Sequence, residues 1–160
     1  MYMNNDHRLV NYFTVYVATL LFLCVGAITT LGLGWYETLV LPAWMPPTIV
    51  VAFVWGLLFV LTTLSASIVW NTAEHDTPLY IVVALYMGNA LFILLWNYLF
   101  FGLHALLAAS VVALVVGLSV LGLMIRVWRI SKKASLMLLP YLIWMILALG
   151  FCYLIWKLNP

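Results

Sequence analysis

The chain has 160 residues, of which 68% are hydrophobic and only 6% are charged, and its formal net charge is +2. A soluble domain carries roughly 25% charged residues, so a mean hydropathy of +1.22 predicts an integral membrane protein. The few basic residues exclude nucleic acid as a partner. Because the apolar runs are continuous rather than alternating, a membrane β-barrel is disfavoured.

Polar or proline-bearing breaks divide the chain into five apolar runs of 21 to 24 residues. A helical span needs about 20 apolar residues to cross about 30 Å of hydrocarbon, where backbone amides must be paired within the segment. The sequence therefore predicts one domain over residues 1–160, an all-α bundle of five transmembrane helices. The expected spans are residues 10–31, 48–70, 79–101, 105–128 and 136–156. A cleaved signal peptide is the alternative for the first run, which is long for one and lacks a clean small-x-small cleavage site.

Five spans place the two termini on opposite sides of the membrane. Lys157 is the one basic residue on the C-terminal side. The basic residues on the N-terminal side are Arg8, Arg126, Arg129, Lys132 and Lys133. The positive-inside rule therefore predicts a cytoplasmic N-terminus.

The predicted spans lack the side chains that most membrane chemistry needs. No Asp, Glu, Lys, Arg or His lies well inside a span, which disfavours proton relays, ion-coupled carriers and voltage sensors. His7 and His75 fall on one side and His104 on the other, so they cannot share a metal or clamp a haem. Cys24 and Cys152 fall within spans, where they are interpreted as small apolar residues. Sequence motifs for hydrolytic or phosphoryl-transfer chemistry are also missing.

Depth along the predicted helices gathers the interior polar-tipped side chains in one half of the bundle. At about 1.5 Å per residue, Trp55, Trp96, Trp144 and Asn89 lie roughly 8 to 20 Å below the face opposite the basic loops. The connection over residues 32–47 covers that face and carries three prolines and three aromatic residues. A rigid aromatic loop over buried indoles suits a flat lipophilic ligand. The alternative is that the indoles only pack helices and that Asn89 bonds a neighbouring helix.

Small residues form two stripes with a spacing of four. One is Gly26, Thr30 and Gly34, near the end of the first span. The other, on the fourth span, is Ala105, Ala109, Ala113 and Gly117. Such stripes let helix backbones approach closely, either within one chain or between two protomers.

Several sequence motifs occur together in the predicted first loop and in the second, third and fifth predicted spans. Trp35-Tyr36 is followed by Pro-Ala-Trp-Met-Pro-Pro at 42–47 and by Phe-Val-Trp-Gly-Leu-Leu at 53–58. Phe-Phe-Gly ends the third span at 100–102, Leu-Pro-Tyr-Leu-Ile-Trp occupies 139–144, and Leu-Asn occupies 158–159. Over residues 10–159 the chain resembles the TspO/MBR family of tryptophan-rich sensory and translocator proteins.

The resemblance implies a five-helix bundle, commonly a homodimer, that binds porphyrins such as protoporphyrin IX or haem and needs no cofactor. Many members bind sterols or synthetic aromatic ligands as well. Roles in tetrapyrrole or oxidative-stress regulation and in porphyrin or lipid transport are implied, in a bacterial inner membrane or, in a eukaryote, an organelle outer membrane. The family pocket lies beneath the first loop. The candidate ligand-binding residues are Tyr36, Trp44, Pro46, Pro47, Trp55, Asn89, Trp144, Ala148 and Cys152.

Two alternatives to simple binding follow from the resemblance. Some bacterial members are implicated in light-dependent porphyrin breakdown, which would make Trp55 and Trp144 the candidate catalytic residues. The other alternative is a structural partner in a membrane complex that binds no ligand. It is favoured by Ile93 and Cys152, which stand where many members carry asparagine and leave Asn89 as the remaining amide. A lost buried hydrogen bond can cost roughly 1–3 kcal/mol.

Two further features concern the ends of spans. The family's Trp-Thr-Pro or Trp-Pro-Pro run reads Trp96-Asn97-Tyr98 here, so the third helix is expected to end differently. A sterol-type pattern of Leu149, Tyr153 and Lys157 fits the end of the fifth span. Such patterns also arise by chance from an interfacial tyrosine and a snorkelling lysine.

Overall fold

The computed structural model describes residues 5–73 and 77–160, with side chains in the first helix described only at some positions from residue 13 onward. Every regular element in these residues is helical, which confirms the all-α prediction. The elements are α1 (Asn5–Tyr36), α2 (Thr48–Thr72), α3 (Leu79–Asn97), a π-helical turn (Tyr98–Gly102), α4 (Leu106–Trp128), α5 (Lys132–Met137) and α6 (Leu139–Leu158).

Four helical segments among the described residues are long and apolar enough to cross a membrane. They are Thr48–Thr72, Leu79–Gly102, Leu106–Trp128 and Lys132–Leu158, and they correspond to the second to fifth predicted spans. Large apolar side chains such as Ile49 and Phe53 point outward from the bundle, as expected of helices in contact with lipid. The first predicted span, residues 10–31, lies within α1, and its place in a membrane stays a prediction.

The first helix ends later than the sequence predicted. Gly32 and Gly34 were expected to open the loop, yet α1 continues to Tyr36. A glycine weakens a helix by about 1 kcal/mol but does not terminate it. At Gly32, an added Cβ would lie 2.6 Å from the Phe101 carbonyl oxygen. The glycine therefore lets α1 approach the π-helical turn closely, and the connection between α1 and α2 shortens to residues 37–47.

The last predicted span, residues 136–156, is divided in the structure. Its helix starts earlier, at Lys132, where Ser131 caps α5 by accepting from the Ala134 amide at 3.3 Å. The helix is interrupted at Leu138, and Pro140 then lies in the first turn of α6. Proline is tolerated there because the first turn leaves its amide positions unpaired.

The stripe of small residues on α4 lies inside the bundle. Ala109 and Ala113 are fully buried in the main core. A Cβ on Gly117 would contact Met145 of α6 at 3.6 Å. The stripe therefore serves packing between α4 and α6 within one chain. Gly26 and Gly34 differ, because an added Cβ would meet nothing within 4 Å at either position.

The topology gives the bundle two distinct ends. The α1–α2 connection, the π-helical turn and the end of α6 lie at one end, called here the loop end. The α4–α5 connection, with Arg126 to Lys133, lies at the other, called here the basic end. Arg8 and His7 have no described side chains, and His75 lies outside the described residues.

Candidate functional site

A cavity of about 300 Å³ lies beneath the α1–α2 connection, and we call it the loop cavity. Side chains from α1, α2, α3, the π-helical turn and α6 enclose it. The three tryptophans that the sequence placed inside spans, Trp55, Trp96 and Trp144, all line it. Its volume is at the lower end of the range of about 300–1,000 Å³ that is typical of small-molecule sites.

One wall of the loop cavity is a stack of aromatic rings. The ring centroids of Trp55 and Trp96 are 5.9 Å apart at 29°. Those of Trp96 and Phe100 are 5.6 Å apart at 27°. Tyr141 meets Trp55 edge-on at 6.3 Å. Such offset stacks and edge contacts are the favoured arrangements of aromatic pairs, so the wall presents rigid π-faces to an occupant.

Polar atoms without partners lie in the same walls. Asn97 is 1% exposed and donates from Nδ2 to Thr29 Oγ1 at 2.8 Å, while its Oδ1 accepts no hydrogen bond from any residue that the structure describes. The Trp144 indole N–H is likewise buried and unpaired. The Trp96 N–H has only the neighbouring Cys152 sulfur, a weak acceptor. Buried polar groups are nearly always paired in proteins, so these atoms mark the loop cavity as unusual.

The connection over the loop cavity is tied to the end of the chain. The Val40 amide donates to Asn159 Oδ1 at 2.9 Å, and Asn159 Nδ2 donates to the Val40 carbonyl at 3.0 Å. Asn159 Nδ2 also donates to the Ile155 carbonyl of α6 at 2.8 Å. One side chain therefore holds the connection against α6.

The structure brings five of the nine predicted ligand-binding residues together. All five line the loop cavity, three of them from α6, although a ligand role for any of them stays a prediction. They are Tyr36, Trp55, Trp144, Ala148 and Cys152.

The three loop residues among the predictions do not line the loop cavity. Trp44 is 55% exposed and packs on Phe151 with ring centroids 4.4 Å apart. Pro47 precedes α2, where its carbonyl accepts from the Val50 amide at 2.8 Å. Pro46 is half-buried in the same turn. These residues shape the cover rather than the walls.

Asn89 is the one remaining predicted residue, and it lies outside the walls of the loop cavity. It is 3% exposed, donates to Ser119 Oγ at 2.7 Å and accepts from the Tyr141 hydroxyl at 3.1 Å. The amide thus joins α3 to α4 and α6, and Asn89 does not line the loop cavity. Bonding to neighbouring helices, the alternative considered from the sequence, is what the structure shows for this residue.

The amide at the loop cavity is Asn97, which sequence reasoning missed. Asn89, Ile93 and Asn97 are spaced four residues apart and are all buried, as expected for one face of a helix. That spacing was the available signal. It shows that the loss of the family asparagine at Ile93 does not leave the loop cavity without an amide.

A second and larger cavity, of about 550 Å³, lies between α1, α2 and α3 toward the basic end. We call it the basic-end cavity. Three polar side chains in its wall are hydrogen-bonded within the protein. Tyr86 pairs with Ser65 at 2.7 Å, Thr63 donates to the Phe59 carbonyl at 2.8 Å, and Asn89 has the two partners given above.

Metal-binding side chains do not gather in the part of the chain that the structure describes. No group of three His, Cys, Asp or Glu residues there could hold an ion. His104 instead stacks flat on Trp35, with ring centroids 3.9 Å apart at 13°. It lies in the turn before α4 with a positive φ of 56°.

Comparison with known proteins places these features in a family. The model of the TspO/MBR family matches residues 13–157. "Protein CrtK" of Rhodobacter capsulatus is 32% identical over 135 residues, 84% of each chain. "Tryptophan-rich protein TspO" of Chlorobaculum tepidum is 30% identical over 149 residues, 86% of this chain and 94% of the relative. "Translocator protein" of Homo sapiens is 30% identical over 129 residues, 80% of this chain and 76% of the relative.

Proposed function

Because the chain belongs to the TspO/MBR family, we propose that it is a membrane receptor for a planar apolar ligand, a porphyrin or related tetrapyrrole, held in the loop cavity. The observation that carries the proposal is the stack of Trp55, Trp96 and Phe100 along one wall. Flat π-systems gain about 0.5–1.5 kcal/mol per aromatic contact beyond area burial. Such a receptor would act in tetrapyrrole or oxidative-stress regulation or in ligand transport.

The charge of the cavity walls limits how a porphyrin would lie. No Lys or Arg among the described side chains lines the loop cavity, and burying an unpaired carboxylate is strongly unfavourable. We therefore expect the macrocycle to enter with its apolar edge first. Its carboxylates would stay at the mouth beneath residues 37–47, where water reaches them.

The membrane arrangement that accompanies this function has five spans. We infer that α1 also spans the membrane, in addition to the four segments described above, because this helix of 32 residues packs on α2 and α3. The basic residues of the α4–α5 connection favour a cytoplasmic N-terminus. In a bacterium the host would be the inner membrane, and in a eukaryote an organelle outer membrane. A cysteine at exposed Lys133, labelled with an impermeant thiol reagent from each side in turn, tests the orientation.

Titration with protoporphyrin IX tests the proposed function. We expect saturable quenching of tryptophan fluorescence in the detergent-purified protein at micromolar ligand. Trp55→Leu removes one face of the stack and should weaken binding by roughly 3- to 10-fold, equivalent to about 0.7–1.4 kcal/mol. Trp128→Leu is the matched control, because Trp128 lies half-exposed at the basic end. Non-saturable quenching that is equal in all three proteins would contradict the proposal and favour a structural partner that binds no ligand.

Light-driven breakdown of the bound porphyrin is the second candidate function. It is favoured by the position of Trp55 and Trp144 in the cavity wall, beside where an excited macrocycle would lie. In air, with dioxygen as the oxidant, illumination of the complex should then bleach the porphyrin bands faster than with Trp55→Leu. Equal bleaching with free porphyrin in micelles would exclude an enzymatic role.

A further inference from the structure

The side-chain amide of Asn97 has a fixed orientation. Thr29 Oγ1 lies 2.8 Å from the Val25 carbonyl oxygen, which can only accept, so the single hydroxyl proton of Thr29 points there. Thr29 Oγ1 must then accept from Asn97, which places Nδ2 rather than Oδ1 at 2.8 Å from it. The usual ambiguity between the two ends of an asparagine amide is therefore resolved by the network.

That orientation leaves the acceptor end of the amide unused. Asn97 is 1% exposed and lines the loop cavity, and its Oδ1 has no hydrogen-bond partner in the described part of the chain. An unsatisfied buried acceptor costs about 1–3 kcal/mol. An occupant of the loop cavity whose donor reaches Oδ1 would recover that free energy.

We propose that Asn97 is a specificity-determining residue of the loop cavity, which selects flat polycyclic ligands that donate an N–H or O–H hydrogen bond from their edge to Asn97 Oδ1. This inference rests on the proposed function, because it requires that the loop cavity binds a flat apolar ligand. It narrows the ligand class, since ionised carboxylates can only accept and cannot satisfy Asn97. Among tetrapyrroles, those with a hydroxyl, a protonated carboxyl or an edge N–H fit this wall.

Neighbouring residues support the assignment of this role to Asn97. The other buried amide, Asn89, has both ends paired to Ser119 and Tyr141 and therefore needs no ligand. Asn97 directly precedes the π-helical turn, and π-helical turns are frequent at functional sites. Thr29 acts as a positioning residue, because it holds Nδ2 and so leaves Oδ1 available.

Carbazole and fluorene provide a matched pair of probes. Both are flat tricycles of the same shape, and carbazole has an N–H where fluorene has a CH₂ group. Dissociation constants are obtained from the rise in thermal unfolding midpoint with probe concentration. Since each probe partitions into micelles equally in every sample, the quantity compared between variants is the ratio of the fluorene constant to the carbazole constant.

We expect this ratio to fall by 3- to 10-fold from the wild type to Asn97→Leu. Thr29→Val removes the acceptor for Nδ2 and keeps the Asn97 amide, so it should lower the ratio by a smaller factor. This variant replaces Asn97→Leu in the test if Asn97→Leu does not fold. Asn89→Leu is the control and should leave the ratio unchanged. An equal ratio in the wild type and the Asn97 and Thr29 variants would overturn the inference while leaving the proposed function intact. If neither probe raises the midpoint of the wild type, the inference fails, and the protoporphyrin IX titration decides the proposed function separately.

Discussion

The two cavities of the bundle differ in a way that their sizes do not suggest. The basic-end cavity, at about 550 Å³, is the larger, and Tyr86, Thr63 and Asn89 in its wall are hydrogen-bonded within the protein. Thr62 and Trp70 also line it. The loop cavity, at about 300 Å³, has a stack of aromatic rings, and the amide oxygen of Asn97 in its wall has no partner among the described residues. Because a ligand gains little from groups that are already satisfied, unpaired atoms indicate a binding site better than volume does.

The same contrast separates the polar residues that join helices at both ends of their side chains from Asn97. At the basic end, Ser65 donates to the Ala134 carbonyl at 2.8 Å and pairs with Tyr86, joining α2, α3 and α5. Asn89 does the same for α3, α4 and α6. Hydrogen bonds between helices hold a membrane bundle together, where burial of apolar surface gives no driving force. Asn97 makes one such bond, from Nδ2 to Thr29, while no described residue donates to its Oδ1.

The largest effect is expected at the contact that shapes the loop cavity. Gly32→Ala would place a Cβ 2.6 Å from the Phe101 carbonyl oxygen, so backbone must move. Overpacking of this kind costs about 1–3 kcal/mol, and the shift of the π-helical turn should abolish porphyrin binding. Thermal unfolding and porphyrin titration measure the two effects. Gly34→Ala is the control, with nothing within 4 Å, and should be neutral or stabilising; a similar loss there would refute the steric explanation.

A comparison of the two amides tests the contrast directly. Asn89→Leu leaves the buried Tyr141 hydroxyl without its acceptor and should lower the free energy of unfolding by about 1–2 kcal/mol. Asn97→Leu loses one bond to Thr29 but also removes an unpaired oxygen, so its loss should be less than half as large. Thermal unfolding without ligand measures both variants. A greater loss with Asn97→Leu would mean that Oδ1 is satisfied in the protein.

Filling each cavity in turn shows which one holds the ligand. Ala148→Leu adds bulk to the loop cavity and should weaken protoporphyrin IX binding about tenfold, equivalent to about 1.4 kcal/mol. Ala66→Leu adds the same bulk to the basic-end cavity and should leave the affinity unchanged. Fluorescence titration distinguishes them. Weaker binding with Ala66→Leu alone would move the proposed site to the basic end.

The smallest effect is expected at the cover. Asn159→Ala removes both hydrogen bonds to Val40, which are exposed and together contribute about 0.5–1 kcal/mol. Protoporphyrin IX should dissociate a few-fold faster in stopped-flow experiments. Asn159→Asp keeps the acceptor for the Val40 amide but loses the donor, so its rate should fall between the other two. Identical rates in all three would show that the connection does not limit ligand release.

The helical architecture could be predicted from composition, because continuous apolar runs of spanning length leave few alternatives in lipid. The residue at which α1 ends could not be predicted in this way. Gly32 is read from sequence as a break, whereas its role depends on Phe101, which lies far along the chain. The interruption at Leu138 did have a local signal, because Pro140 has no amide hydrogen to donate to the carbonyl four residues earlier.

The sequence predicted how deep in the bundle the candidate site residues lie, but not which way their side chains point around each helix. Counting residues along the spans placed Trp55 and Trp144 near one end, and both line the loop cavity. The same counting placed Asn89 with them, although its rotation about α3 turns it toward Ser119 and Tyr141. The orientation of a side chain around a helix depends on partners from other helices. Asn97 was missed for the same reason.

The bond between Asn159 and Val40 joins residues that are 119 positions apart in the chain. During synthesis the residues of the α1–α2 connection leave the ribosome long before α6 exists. The cover of the loop cavity therefore cannot be fastened until the last helix has been inserted. Trp144, Ala148 and Cys152 of that helix also line the loop cavity, so its wall is incomplete until the same step.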